Sequence, residues 1–398
     1  MKKILALVLV MIMVLSLASC SPKSDSQASG TPGEASGNLD PIKIGAVLSQ
    51  TGTVAHAGIN AQRACEILVG EVNSAGGIKG RQIQLIIENS NTEPERAVSS
   101  ALKLSNEDKV LAIIGPDNTS TATAVKEQVA ETDEIVAISV TGSSPKLTAD
   151  NPRWFFRGAT PANYQMTALT KYMVEDLKYT KFAVMTDASL TDQSDAFVAD
   201  LKKYNLEPLD IETHKSGDTN FNGQLLKIKP FEPEAIVFVG YVTECASAVK
   251  QARDMGIKAQ FAGSIGVVYQ ELCDIGGSLV EGMLGTIGFT VSNPDPKVQA
   301  FAKTFKEKYG EEPDHAAGQA YDQLTLVLDA LRNENISFDP KNLASDRTLI
   351  RDYLESKTNG YSGLSGKINY TQDDHTAYEM VNVMQIKDGK WTVLIPSK

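Results

Sequence analysis

The chain carries a net charge of −11 over 398 residues, 42% of them hydrophobic. That supplies apolar material for two separately cored domains, while the acidic balance argues against a nucleic-acid partner, which would want basic patches. Four scattered histidines and four cysteines make neither a disulfide framework nor a metal site.

The chain opens MKKILALVLVMIMVLSLASC. A basic head at Lys2 and Lys3 precedes an apolar run of about a dozen residues, short for a membrane span and right for a signal peptide. The run ends in Leu17-Ala18-Ser19-Cys20, which looks like a bacterial lipobox. Residues 1–20 are then a lipoprotein signal peptide, with Cys20 lipidated as the mature N-terminus. The alternative is ordinary cleavage after Ser19, leaving Cys20 a free thiol. Residues 21–40 are rich in Ser, Gly and Pro and form a flexible tether with nothing to bury.

Strand and helix signals then alternate. Ile42–Leu48 reads as a strand. Residues 57–73 carry apolar side chains at helical spacing and stop at Gly76-Gly77. A strand over 81–88 and a helix over 93–107 follow, with Pro94 in the first turn. Residues 110–115 form a near-continuous apolar strand, buried on both faces. A helix over 121–131 and a strand over 135–140 complete the series, which implies a parallel sheet wrapped by helices. The pattern then restarts. Lys43-Ile-Gly-Ala-Val is echoed by Lys181-Phe-Ala-Val-Met, and Ala112-Ile-Ile-Gly115 by Val237-Phe-Val-Gly240. Two lobes of similar doubly wound α/β build are expected. Of the other cysteines, Cys65, Cys245 and Cys273 read as buried apolar residues, with a Cys245–Cys273 bridge as the alternative.

Ligands of open α/β sheets bind beyond the carboxyl ends of the strands. Six loops meet that description: 49–58, 116–121 and 139–145 in the first lobe, and 187–192, 241–244 and 263–267 in the second. One of them, Pro116-Asp117-Asn118-Thr119-Ser120-Thr121, is a polar collar at a helix start, where unpaired backbone N–H groups suit a carboxylate. Helix capping by Asn118 or Thr119 would explain it equally. A second polar strand end, Thr141-Gly142-Ser143-Ser144-Pro145, turns the pair into an anchoring rim. His56 stands in a cleft loop within reach of a ligand. Asp187 with Asp192 is an acidic pair without a third metal ligand. No nucleophile elbow, phosphate loop or His-Glu-x-x-His motif is present, so neither an enzyme nor a cofactor or metal is expected.

Several segments together resemble the leucine/isoleucine/valine-binding protein family of branched-chain amino acid ABC transporters. They are Ile44-Gly-Ala-Val-Leu-Ser with Thr51-Gly52, Glu71-Val-Asn-Ser-Ala-Gly-Gly-Ile-Lys-Gly80, Ile113-Ile-Gly115, Gln251-Ala-Arg-Asp-Met-Gly256 and Glu281-Gly-Met-Leu. The resemblance runs from about residue 42 to the C-terminus. It implies two doubly wound lobes joined by three crossovers, 41–161 plus 288–366 and 162–287 plus 367–398, closing on a ligand held in the cleft between them. It also implies a lipid-anchored extracytoplasmic monomer whose partners are a small ligand and a membrane permease.

The family's carboxylate anchors fall on Thr119, beside Asn118 and Ser120, and on Ser143 after Gly142; its aromatic contact in the second lobe falls on Tyr241. Two positions depart from the pattern. Ala162, followed by Asn163 and Tyr164, stands where the family has an Asp for the ligand's ammonium, and Ile265 stands where amino-acid binders have a Glu. An ammonium taken from water without a carboxylate is costly. Either Glu244 or Asp117 replaces the missing acids, or the ligand is a carboxylate without an ammonium. A sensory module using the same trap is the remaining alternative.

Overall fold

A computed structural model of the chain describes residues 39–378 and 380–396; Cys20 and the signal peptide lie outside the described residues. The first lobe begins with β1 (Ile42–Leu48), α1 (Ala55–Ser74), β2 (Ile83–Asn89) and α2 (Pro94–Leu102). It continues through β3 (Ile113–Ile114), α3 (Thr119–Val125), β4 (Ala137–Ser139) and β5 (Phe155–Arg157). The five strands make a parallel sheet in the order β2-β1-β3-β4-β5. Both faces of β1, β3 and β4 are buried under helices, which is why their sequences are apolar at consecutive positions rather than alternate ones.

The chain then crosses into α4 (Ala162–Lys171), β6 (Phe182–Asp187), α5 (Thr191–Lys203), β7 (Asp210–His214) and α6 (Asn222–Ile228). Next come β8 (Ala235–Val239), α7 (Val242–Asp254), β9 (Gln260–Gly263), α8 (Gln270–Gly276) and β10 (Leu284–Ile287). Their strands pair in parallel as β10-β9-β8-β6-β7. This repeats the order of the first sheet, so the internal echo in the sequence is a structural duplication.

After β10 the chain returns to the first lobe as α9 (Pro296–Tyr309), α10 (His315–Asn333) and α11 (Leu343–Lys357). Helix α10 packs along α1. A short hairpin of β11 (Tyr361–Ser362) and β12 (Lys367–Ile368) follows. The last crossing leads to β13 (Asn382–Lys387), antiparallel to β10, and β14 (Lys390–Ile395), which make the second sheet seven-stranded.

Helix α11 is pinned by Arg347, a buried guanidinium that donates to the carbonyls of Val110, Ser105 and Asp133 at 2.9–3.2 Å. Asp322 in α10 fixes the last crossing. Its carboxylate accepts from the backbone N–H groups of Leu364 (2.6 Å) and Ser365 (2.8 Å) and from the Tyr378 hydroxyl (2.7 Å). Cys65, Cys245 and Cys273 are buried free thiols. The alternative Cys245–Cys273 bridge is not made; the Cys245 Sγ instead meets the Met283 thioether at 4.0 Å.

Candidate functional site

The carboxyl ends of β1, β3 and β4 face those of β6, β8 and β9 across a cavity of about 30 Å³. All six loops expected at the cleft reach it. The first lobe supplies Val54, Asp117, Asn118, Thr119, Thr141 and Ser143. The second supplies Leu190 and Gln193, the Gly240-Tyr241 pair, Ser264-Ile265-Gly266 and Tyr269. Two glycines bring these loops together. Gly115 has φ +108°, and a Cβ there would stand 2.2 Å from the Val47 carbonyl oxygen. A Cβ on Gly58 would meet the Asp117 carboxylate at 2.5 Å.

The capping explanation of the collar holds. Asn118 caps α3, its Oδ1 accepting from Thr121 N (3.1 Å) and Ser120 Oγ (2.8 Å). Its Nδ2 is buried without a partner at the cavity wall, a donor available to a carboxylate. Thr119 lines the cavity, whereas the Ser120 hydroxyl is turned back onto the cap. Beneath the second rim, the buried guanidinium of Arg157 donates to the Ser144 carbonyl (2.8 Å). Burial lowers its pKa to about 10, so it is charged at neutral pH.

Asp117 is the acid that lines the cavity. Its two oxygens accept from Ser49 N (2.7 Å) and Ser49 Oγ (2.9 Å). Burial pushes its carboxyl up to about 6, against the pull of the Ser49 bonds, its own backbone N–H and the Asn118 side chain. No Lys, Arg or His side chain lines the cavity among the described residues. Tyr241 reaches it from the start of α7. Burial, then the charges of Asp187, Glu244 and Asp117, hold its hydroxyl above the ordinary range and therefore protonated.

Besides Ser120, three expected contacts do not meet the cavity. Tyr164 stands 41% exposed on the first turn of α4, because Ala162 and Gln165 take the inward positions of that turn. Gly142 faces Ser139 and Leu147 inside the first lobe. Glu244 is buried behind Tyr241, its Oε1 accepting from Gly217 N (2.7 Å). His56 also lies off the cavity, with its Nε2 3.3 Å from the Asp314 carboxylate. Asp187 and Asp192 do not form a pair: the first takes two bonds from Ser189, and the second accepts from the Ser144 hydroxyl across the cleft.

Sequence reasoning missed the amides and the second tyrosine. Gln193 Nε2 donates to Ser143 Oγ (3.3 Å) across the cleft while its Oε1 accepts from Ser264 Oγ (2.8 Å). Gln165 Oε1 accepts from Ile265 N (2.9 Å). Each of these amides stands in the first turn of its helix, Gln193 in α5 and Gln165 in α4. Tyr269 reaches across to the first lobe, its ring 4.4 Å from His315 and edge-on to His56 at 5.7 Å.

Comparison with known proteins agrees with this architecture. A family model described as periplasmic binding protein matches residues 41–390. The leucine-, isoleucine-, valine-, threonine-, and alanine-binding protein of Pseudomonas aeruginosa is 27% identical over 344 residues, 85% of this chain and 90% of that protein. The branched-chain amino acid transporter substrate binding protein LivJ of Streptococcus pneumoniae, solved with isoleucine, superposes with a TM-score of 0.80. It is 28% identical, with 89% of this chain and all of that one covered. An ABC transporter solute binding protein of R. palustris, solved with benzoate, shares the fold at a TM-score of 0.78 and 19% identity, over 90% of this chain and 97% of that one. The chain belongs to the periplasmic binding protein family, whose members are solute-binding receptors.

Proposed function

We propose that this chain is the extracytoplasmic receptor of an ABC importer and captures a small amino acid by closing its lobes, 41–161 with 288–366 and 162–287 with 367–398. The observation that carries this reading is the pairing, around one cavity, of donors for a carboxylate with a carboxylate acceptor. The Asn118 Nδ2 and the Thr119 and Ser143 hydroxyls, with Arg157 charged behind them, suit a ligand carboxylate. Asp117 suits an ammonium. Glu244, the other acid considered for that role, does not reach the cavity. The names of the amino-acid-binding relatives point the same way. Cys20 would anchor the receptor to the membrane as a monomer, and among the described residues no helix is long and apolar enough to cross one.

The second reading is a carboxylate ligand without an ammonium, favoured by Ala162 and Ile265 where relatives carry acids. The cavity's charge weighs against it. Its lining acid is uncompensated by any lining base, so a bare anion would face Asp117 unshielded.

A thermal-shift panel pairing each amino acid with its deaminated analogue, such as leucine with 4-methylpentanoate, separates the two. A ligand at about 100 times its Kd stabilises by ~2.7 kcal/mol. Stabilisation by amino acids alone is expected; stabilisation by the deaminated acids alone would overturn the reading. For the best ligand, Thr119→Ala and Ser143→Ala should each weaken binding by about 1–3 kcal/mol in calorimetry. Unchanged affinity in both variants would remove them from the site.

A further inference from the structure

Behind Tyr241 three polar side chains converge from three elements. Asp187 ends β6, His214 ends β7 as its direct register partner, and Glu244 stands in the first turn of α7. They are buried, with 2%, 3% and 1% of their surfaces exposed. Each spends one polar atom on the protein and leaves the other without a partner. Asp187 Oδ1 accepts from Ser189 N (2.8 Å) and Ser189 Oγ (2.7 Å), and Oδ2 has no partner. Glu244 Oε1 accepts from Gly217 N, and Oε2 has none. His214 Nδ1 lies 3.3 Å from the Lys215 carbonyl oxygen. A carbonyl can only accept, so Nδ1 donates to it, and Nε2 has no partner. That nitrogen is turned to Gly240, 3.3 Å from where a Cβ would stand.

The three groups therefore leave two carboxylate oxygens and one imidazole nitrogen without a partner. Burying carboxylates without a cation is costly. A water molecule brings two donors and no charge. Among the described residues, no group of three His, Cys, Asp or Glu is arranged to hold a metal ion. An alkylammonium has three donors and one positive charge, which matches the set.

These groups also adjoin the ligand site. Leu190, whose N–H is bonded to the Asp187 carbonyl (2.9 Å), lines the cavity together with Gly240 and Tyr241. Both carboxylates act electrostatically on the Tyr241 hydroxyl.

We propose that Asp187, Glu244 and His214 form a side-chain subsite for a primary ammonium, so that the preferred ligand is a basic amino acid of the lysine or ornithine kind. This rests on the amino-acid reading of the cavity. The α-carboxylate and α-ammonium would occupy the rim and Asp117, and the side chain would run past Leu190 and Tyr241 into the second lobe.

The test is calorimetry on the full-length protein with L-lysine, L-ornithine, L-norleucine and Nε-acetyl-L-lysine. Norleucine keeps the stem and removes the charge, and acetylation keeps the nitrogen and removes the charge. Lysine or ornithine should bind at least tenfold more tightly than either neutral probe, and Asp187→Asn or Glu244→Gln should shrink that ratio toward one. Norleucine binding as tightly as both basic amino acids would overturn the subsite and leave the amino-acid reading intact. No response to any of the four, with deaminated acids binding instead, would overturn both. The wild-type ranking decides the matter even if a variant fails to fold.

Discussion

Asp117→Asn is expected to weaken amino-acid binding by several hundredfold or more. Removing one partner of a buried charge pair costs about 3–5 kcal/mol, because the other charge stays desolvated and uncompensated. Asparagine keeps the size of the side chain but presents an NH₂ group either to Ser49 or to the ligand's ammonium, and both need an acceptor.

The pH dependence gives the same residue a second signature. Burial lifts the Asp117 carboxyl to about 6. As pH falls through that value the carboxylate is lost, and amino-acid affinity should drop about tenfold per unit below it. A deaminated acid should move the opposite way. For folding stability the sign reverses. A carboxyl whose folded pKa is raised contributes stability below its unfolded value near 4, and that contribution is lost as pH rises through about 6. Titration calorimetry from pH 5 to 8 on both proteins reads the binding effect. An affinity in Asp117→Asn equal to wild type would remove the residue from the ammonium site.

Arg347→Met should cost about 3 kcal/mol of folding stability without altering ligand contacts. The guanidinium is buried, and burial lowers its pKa to about 10, so it remains charged at neutral pH. Its donors satisfy the carbonyls of Ser105, Val110 and Asp133 around the entry to β3. Methionine fills much of the volume but leaves these carbonyls unpaired in a dry environment. With an unfolding entropy of about 2.1 cal/mol/K per residue, the loss corresponds to a midpoint roughly 4 °C lower. A variant that melts with the wild type would mean water replaces the arginine.

The alternation of strands and helices was legible because buried parallel strands need runs of apolar residues and helices need a repeat near 3.6. Ile42–Leu48 is a strand over the expected residues, and all six cleft loops follow from the rule that ligands meet the carboxyl ends of strands. Boundaries moved where local geometry intervened. Helix α2 ends at Leu102 and its continuation over Lys103–Glu107 widens to a π turn. The core of the 110–115 run pairs as a strand only at Ile113–Ile114.

Side-chain direction was not legible. Whether Tyr164 or Gln165 points inward depends on the rotation of α4 about its own axis, which the neighbouring residues Ala162 and Met166 set by packing. Tyr241 precedes α7 in extended backbone, so its direction is not set by the helical repeat that aims Glu244. Tyr269 and Gln193 lie just past loops already identified, and their roles exist only when the lobes meet.

The pairing of α1 with α10 has a consequence for how the chain is made. Asn60 in α1 donates to Asp314, the N-cap of α10, 254 residues further on. The face of α1 with Ala64 and Ile67, which cluster with Phe301, Phe305 and Ala317, therefore has no helix to cover it until most of the polypeptide has emerged. Contacts so distant in sequence are closed late and slowly. A nascent chain cut short before residue 315 exposes a sticky stripe, while one released whole folds its first-made segment last.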